Sequence, residues 1–134
     1  MNFFLLLIVV VFASCATKPP SEAELRSVKQ ERIYKKLSGE SKLTVTRDSG
    51  FIGSACSIGL LINDEIVAGL DPSERFQTSL PPGEYKIGVS SDKNSSAICS
   101  GWISKNREFV IKAQSEKKLR IFIDPNGIPD IFPE

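Results

Sequence analysis

The chain has 134 residues, 41% of them hydrophobic and 25% charged, with a formal net charge of +1, three cysteines and no histidine. A chain of this length makes one domain with a real core, and its near-neutral balance indicates neither a nucleic-acid footprint nor a strongly acidic face. The missing histidine excludes a Ser-His-Asp triad, a Cys-His pair and any imidazole general base.

From Phe3 to Ala13 the chain is uninterruptedly apolar, with Ala13 and Ser14 just before Cys15. The run is too short for a spanning helix, which needs roughly 20 apolar residues, and has the length of a signal-peptide core. Phe12-Ala13-Ser14-Cys15 resembles the bacterial lipobox, in which the cysteine sulfur receives a diacylglyceryl group and the leader is cut before it. The resemblance implies a signal peptide over 1–14 and a mature, lipidated protein starting at Cys15. Phe12 in place of the commoner Leu, and an n-region of only Met1-Asn2, depart from the pattern. The alternative is an ordinary secretory signal cut near Ala13 to Ala16. Each buried CH₂ of a lipid contributes about 0.8 kcal/mol, so two or more acyl chains hold a protein firmly. Ala16, where an Asp would retain many lipoproteins at the inner membrane, points to the outer membrane and the periplasm.

Residues 15–42 are expected to form a tether and a helix. Residues 18–42 carry seven basic and four acidic side chains, so the membrane-proximal part is the basic one. Thr17-Lys18-Pro19-Pro20 favours an extended linker. Ser21-Glu22-Ala23-Glu24 fits a capping box, Leu25, Val28, Arg32 or Ile33, and Leu37 fall at roughly helical spacing, and Ser38-Gly39 makes a stop, which predicts one short helix that lifts the domain off the membrane. Its basic face either touches phosphate head groups or is simply solvated.

After Lys42 the period becomes that of strands. Leu43 to Arg47, Cys56 to Ile62, Glu65 to Leu70, Arg75 to Leu80, Glu84 to Val89, Ala97 to Ile103, Glu108 to Ala113 and Lys117 to Ile123 read as seven or eight short strands. Asn63-Asp64 suits a tight hairpin turn and Pro81-Pro82-Gly83 a chain reversal. Short strands with no helix between them argue for an antiparallel sandwich or barrel over residues 43–124. Tyr85, Trp102, Phe109 and Phe122 are candidates for its core. The tail 125–134 is extended and turn-rich, and either folds back on the sandwich edge or inserts into a partner.

The run from Arg47 to Val89 is similar to a family of small bacterial lipoproteins with an uncharacterised β-sandwich domain related to the PEGA domain. The residues that carry the similarity are Thr46-Arg47, the loop Gly50 to Gly53, the turn Asn63-Asp64, and Pro82-Gly83-Glu84-Tyr85-Lys86-Ile87. It implies a small β-sandwich, and little about function.

With Cys15 assigned to lipid, Cys56 and Cys99 remain as a pair in an oxidising compartment, and a disulfide is the natural reading. It closes a loop of about 44 residues, for which the chain-entropy model gives on the order of 4 kcal/mol. Asp64, Glu65, Asp71 and Glu74 cluster near two turns where a cation is conceivable, although charged turns are the ordinary state of a surface, and no metal, cofactor or nucleic acid is expected. Ser90-Ser91-Asp92-Lys93 and Ser115-Glu116-Lys117-Lys118 contain Ser-x-x-Lys but read as turns. The expectation is a non-enzymatic lipoprotein of the cell envelope, held in the membrane through Cys15, whose sandwich serves as an adaptor for another envelope protein. The alternative is a binding lipoprotein for a peptidoglycan, glycan or lipid ligand.

Overall fold

The alternating pattern beyond Lys42 folds into two sheets packed face to face. The structure, a computed structural model, describes residues 16–134; Cys15 and the leader lie outside the described residues. The described residues form nine strands: β1 (Arg26–Ser27), β2 (Ser41–Arg47), β3 (Ile58–Ile62), β4 (Glu65–Leu70), β5 (Glu74–Leu80), β6 (Gly83–Ser91), β7 (Lys105–Ile111), β8 (Glu116–Ile123) and β9 (Pro129–Pro133). One sheet has the order β1-β5-β2-β8-β9 and the other β4-β3-β6-β7. The expected β-sandwich is thus observed.

The second sheet is antiparallel throughout. The first is mixed, with β2 pairing antiparallel with β5 and parallel with β8, and β1 parallel with β5. Between β2 and β8 the chain visits both sheets, so no short hairpin forces the two to run in opposite directions. Asn63 (φ 48°) and Asp64 (φ 68°) both take left-handed backbone, as a two-residue hairpin between β3 and β4 requires.

Leu43 and Val45 of β2, Leu119 and Ile121 of β8 and Ile131 of β9 meet Ile58 and Leu60 of β3 and Ile87 and Val89 of β6 in a fully buried interior. Phe109 belongs to this core, with Tyr85 and Trp102 half-buried against it. Phe122 does not. It lies between the inward-facing Ile121 and Ile123, so the period of two turns it outward, where it stacks on Phe132 with ring centroids 5.1 Å apart.

Three expectations change. The helix over Ser21 to Leu37 is not formed, and the described residues contain no α-helix. The capping box is made, with the Glu24 amide donating to Ser21 Oγ at 3.3 Å and the Ser21 amide to Glu24 Oε1 at 3.2 Å, but it supports a single turn. The chain then runs extended as a strap over the open side of the sandwich. Arg26 N and Val28 N donate to Ser73 O (2.9 Å) and Arg75 O (3.1 Å) beside β5, and Tyr34 N donates to Val67 O (2.9 Å) of β4. Two exposed sheet edges offer unpaired backbone groups that a thin amphipathic helix would leave unsatisfied, and the extended strap satisfies them.

Second, Thr17 to Pro20 is no free linker. The Thr17 hydroxyl donates to Asp48 Oδ2 at 2.9 Å and accepts from the Ile123 amide at 3.0 Å, and Lys18 bridges Ser49. Third, Ala97 to Ile103 is not a strand: Ala97–Cys99 is a 3-10 turn, Ser100 to Ser104 is loop, and β7 starts at Lys105. The tail does fold back, with β9 pairing antiparallel to β8 and Ile131 wholly buried. The sandwich therefore extends past 43–124 at both ends.

The registers gather the loops into two groups. Ile58 faces both Leu70 and Ser91, Val89 faces Lys105, Thr46 faces Arg75, Arg47 faces Ile121, and Ile123 faces Pro129. The connections 48–57, 71–73, 92–104 and 124–128 therefore lie together at one end. The turns 63–64, 81–82 and 112–115 lie at the other.

Candidate functional site

Leu43, Val45 and Arg47 share one parity on β2, and so do Glu74, Phe76 and Leu80 on β5, so the strand period carries a cation and a carboxylate to the core side. Both are 2% exposed. Arg47 donates through Nη1 to Cys56 O (2.6 Å) and Leu70 O (2.7 Å), and through Nη2 to Gly53 O (2.9 Å). It thereby ties the loop 48–57 to the end of β4. Burial pulls its pKa down to about 10, against the pull of Asp71 and Glu74, so it remains charged at neutral pH.

Glu74 is held by Arg32, whose Nη2 also lies 3.3 Å from Asp71 and whose Nε donates to Gly69 O at 3.3 Å. Burial raises the Glu74 pKa, Arg32 opposes the shift, and Glu74 Oε2 is buried without a partner. Asp71 in turn accepts from the Ser57 hydroxyl. Glu74, Arg32, Asp71 and Ser57 form a bonded network that joins the strap, the β4–β5 connection and the loop 48–57, with the charge of Arg47 favoured by the nearby Asp71 and Glu74.

Above it opens a cleft of about 560 Å³ between Glu31 to Tyr34 of the strap, Ala55 to Ser57, and the loop from Asp92 to Cys99. The Tyr34 hydroxyl donates to the Asp92 carboxylate at 2.8 Å, and Lys93 Nζ sits 4.7 Å from the Tyr34 ring centroid. Burial, then Asp92, pushes the Tyr34 pKa up to about 12, so the phenol is a neutral hydrogen-bond donor. Asp92 lies directly over Gly69, where an added Cβ would come within 2.2 Å of its Oδ2. Cys56 and Cys99 form a disulfide with Cα atoms 5.4 Å apart, joining the two loops that wall the cleft. Neither cysteine is in a strand, contrary to expectation; one is in a turn and the other ends the 3-10 turn.

The other candidates are dispersed. Asp64 pairs with Lys86 (2.9 Å) and Glu65 with Lys35 (2.6 Å) at the hairpin end, whereas Asp71 and Glu74 pair with Arg32 at the opposite end. The four carboxylates do not converge, and among the described residues no group of three or more metal-ligating side chains is placed to hold an ion. Ser90 Oγ and Ser115 Oγ donate to the backbone carbonyls of Ser91 and Lys112 (2.9 and 2.6 Å), so neither Ser-x-x-Lys brings its hydroxyl to the cleft. Cys15 lies outside the described residues.

Sequence reasoning missed Arg32, Tyr34, Arg47, Glu74 and Asp92 as a set. The signal for Arg47 was present, since it continues the inward parity of Leu43 and Val45. Tyr34 and Asp92 are 58 positions apart and meet only through the strap. No family model, no curated protein and no solved structure matches the chain.

Proposed function

We propose that the protein is a lipoprotein of the bacterial envelope, acylated at Cys15 and held at the outer membrane facing the periplasm, whose sandwich acts as a non-enzymatic adaptor for another envelope protein. The turn pattern from Thr46 to Ile87 relates this domain to PEGA-like lipoproteins. The observation that carries the adaptor reading is the combination of a closed interior with an open, polar cleft. Side chains fill the space between the sheets, with Leu43, Val45, Ile58, Leu60, Leu119 and Ile121 at 0% exposure, so recognition is left to the surface. The cleft walls are pre-ordered by the disulfide and by the buried Arg47 and Glu74. They present Glu31, Asp92, Asn94 and Ser95 on a rigid frame, which suits a charged or polar loop of a protein partner.

A photo-crosslinking residue placed at Asn94 in intact cells tests this, with the same residue at Gln114, on the far end, as control. One envelope protein captured from Asn94, absent from Gln114 and reduced by Tyr34→Ala, is the expected result. Capture of glycan or lipid in its place would give the protein the role of a binding lipoprotein and end the adaptor reading.

A further inference from the structure

The exposed large apolar side chains are not scattered. Phe51 (94% exposed), Ile98 (93%), Ile103 (87%) and Ile128 (45%) all belong to the loops 48–57, 92–104 and 124–128, and so to a single end of the sandwich. Val110, on β7, is the remaining one among the described residues. The two loops bearing the three most exposed are joined by Cys56–Cys99. Trp102, in the second of these loops, packs its ring toward Gly53 of the first and donates Nε1–H to Gly127 O at 3.0 Å, so that the 124–128 loop is fastened to the same platform.

The same end is depleted of charge. From Ser49 to Ser57 and from Asn94 to Ser104 there is no ionisable side chain apart from the two disulfide-bonded cysteines, in a chain that is 25% charged. Asp48, at the root of the first loop, is neutralised by Arg120 through two contacts of 2.6 and 2.7 Å. Asp124 accepts from the amides of Asn126 (2.8 Å) and Ile128 (3.0 Å) in its own loop. Of the other charges at this end, Asp71 faces Arg32, and Asp92 and Lys93 pack on Tyr34 at the cleft. A surface of apolar tips, small uncharged residues and a half-buried tryptophan can approach hydrocarbon while the cations Lys18 and Lys93 stay at headgroup level.

The N-terminal segment reaches the sandwich at this end. Thr17 is hydrogen-bonded to Asp48 and Ile123, Lys18 bridges Ser49, and a Cβ on Gly50 would lie 3.0 Å from Thr17 Cγ2, which puts Thr17 one residue from Phe51 in space. Cys15 precedes Thr17 by two residues, a chain span of at most about 7 Å. We infer that the loop end of the sandwich is a membrane-seating surface: Phe51, Ile98, Ile103 and Ile128 enter the lipid headgroup region beside the acylated Cys15, so that the domain rests on the bilayer with its strands upright instead of standing off on a stalk. The inference rests on the reading of Cys15 as the lipidated residue. It also sets the height of the cleft, which opens beside the disulfide and therefore close to the lipid surface, within reach of a membrane-anchored partner.

Trp102 is the only tryptophan in the chain and makes the test direct. Full-length mature protein, purified with its lipid, is reconstituted into phosphatidylethanolamine–phosphatidylglycerol vesicles with or without phospholipid brominated near the headgroup end of the acyl chain, and each sample is floated on a density gradient before fluorescence is read. The expected result is co-flotation with loss of most Trp102 emission to bromine. The triple variant Phe51→Ser, Ile98→Ser, Ile103→Ser is expected to float equally well and to recover that emission, and Glu84→Trp in a Trp102→Phe background, at the far end, to remain unquenched. Floating wild-type protein with unquenched Trp102, or equal quenching at position 84, overturns the seating and leaves the anchor standing. Protein that does not float overturns the anchor, and the seating with it.

Discussion

Arg47 shows how one side chain can organise a region by the carbonyls it collects. It bonds Gly53 O, Cys56 O and Leu70 O from a position that is 2% exposed, so truncating it removes a buried cation and three hydrogen bonds, leaving Gly53 O with the Cys56 amide at 3.1 Å. Arg47→Ala is expected to lower stability by about 3–5 kcal/mol in urea unfolding and to loosen the loop 48–57 in hydrogen exchange. Arg32 has a different, pH-dependent role. The folded-state pKa of Glu74 is raised by burial and held back by Arg32, so its contribution favours folding below the ordinary carboxylate pKa and is lost as pH rises through the folded value. Without Arg32 that value rises further. Arg32→Ala is therefore expected to cost about 3 kcal/mol at neutral pH, with a deficit against wild type that shrinks on acidification as Glu74 becomes protonated in both proteins. Urea midpoints measured across the acid range check the sign. A deficit that grows on acidification would contradict it.

Among the elements, the strap and the disulfide decide the shape of the cleft. The strap residues from Leu25 to Leu37 have the spacing of a weak helix, and a local capping box forms at Ser21 and Glu24. Tertiary demand overrides this local preference, because β4 and β5 present edges that backbone pairing can satisfy. Val28, 8% exposed, and the Ile33–Ala68 bridge fix the strap across both sheets. The disulfide was legible from the cysteine count together with the expectation of an oxidising compartment. Its position in loops was not, since Ala97 to Ile103 reads as a short strand, which the 3-10 turn Ala97–Cys99 and the exposure of Ile98 and Ile103 contradict. Cys56→Ser is expected to cost about 2–4 kcal/mol and to abolish the change in gel mobility on reduction. Because the crosslink joins the two cleft walls, it should also diminish any crosslinking from Asn94.

At the scale of the whole molecule, the sandwich controls its edges and has two unlike ends. β7 carries Lys105, Arg107 and Glu108 along its edge, and β9 is short with proline at both limits, which discourages edge-to-edge pairing. Asp130 draws these two edges together, bonded by Arg107 Nη2 at 2.9 Å and Lys105 Nζ at 3.3 Å, with the Arg107 guanidinium 3.9 Å from the Phe132 centroid. Burial pushes the Asp130 carboxyl up, but Arg107, Lys105 and the Ile131 amide prevail and lower it, so this clasp contributes above the ordinary aspartate value and is lost as pH falls through the lower one. One end of the sandwich is a set of polar turns; the other combines the apolar loop tips, the mouth of the cleft and the attachment of the N-terminal segment. Under the proposed anchoring, Cys15→Ser is expected to move the protein from the membrane to the soluble fraction, or to accumulate it unprocessed, on cell fractionation. A variant that stays membrane-bound and normally processed would remove the lipid anchor from the account.

The amino-acid sequence alone determined the β class, the β3–β4 hairpin at Asn63-Asp64, the Cys56–Cys99 pairing and most strand positions. Each of these depends on local periodicity, turn chemistry or simple counting, which act over a few residues. Only the tertiary structure decided that Ser21 to Leu37 is a strap, that β2 and β8 run parallel, that Arg47 and Glu74 are buried, and that Tyr34 meets Asp92. Those outcomes are set by which edges and cavities are left once the two sheets have packed. Backbone groups and charges distant in sequence then compete for the same partners, and no window of neighbouring residues contains that competition.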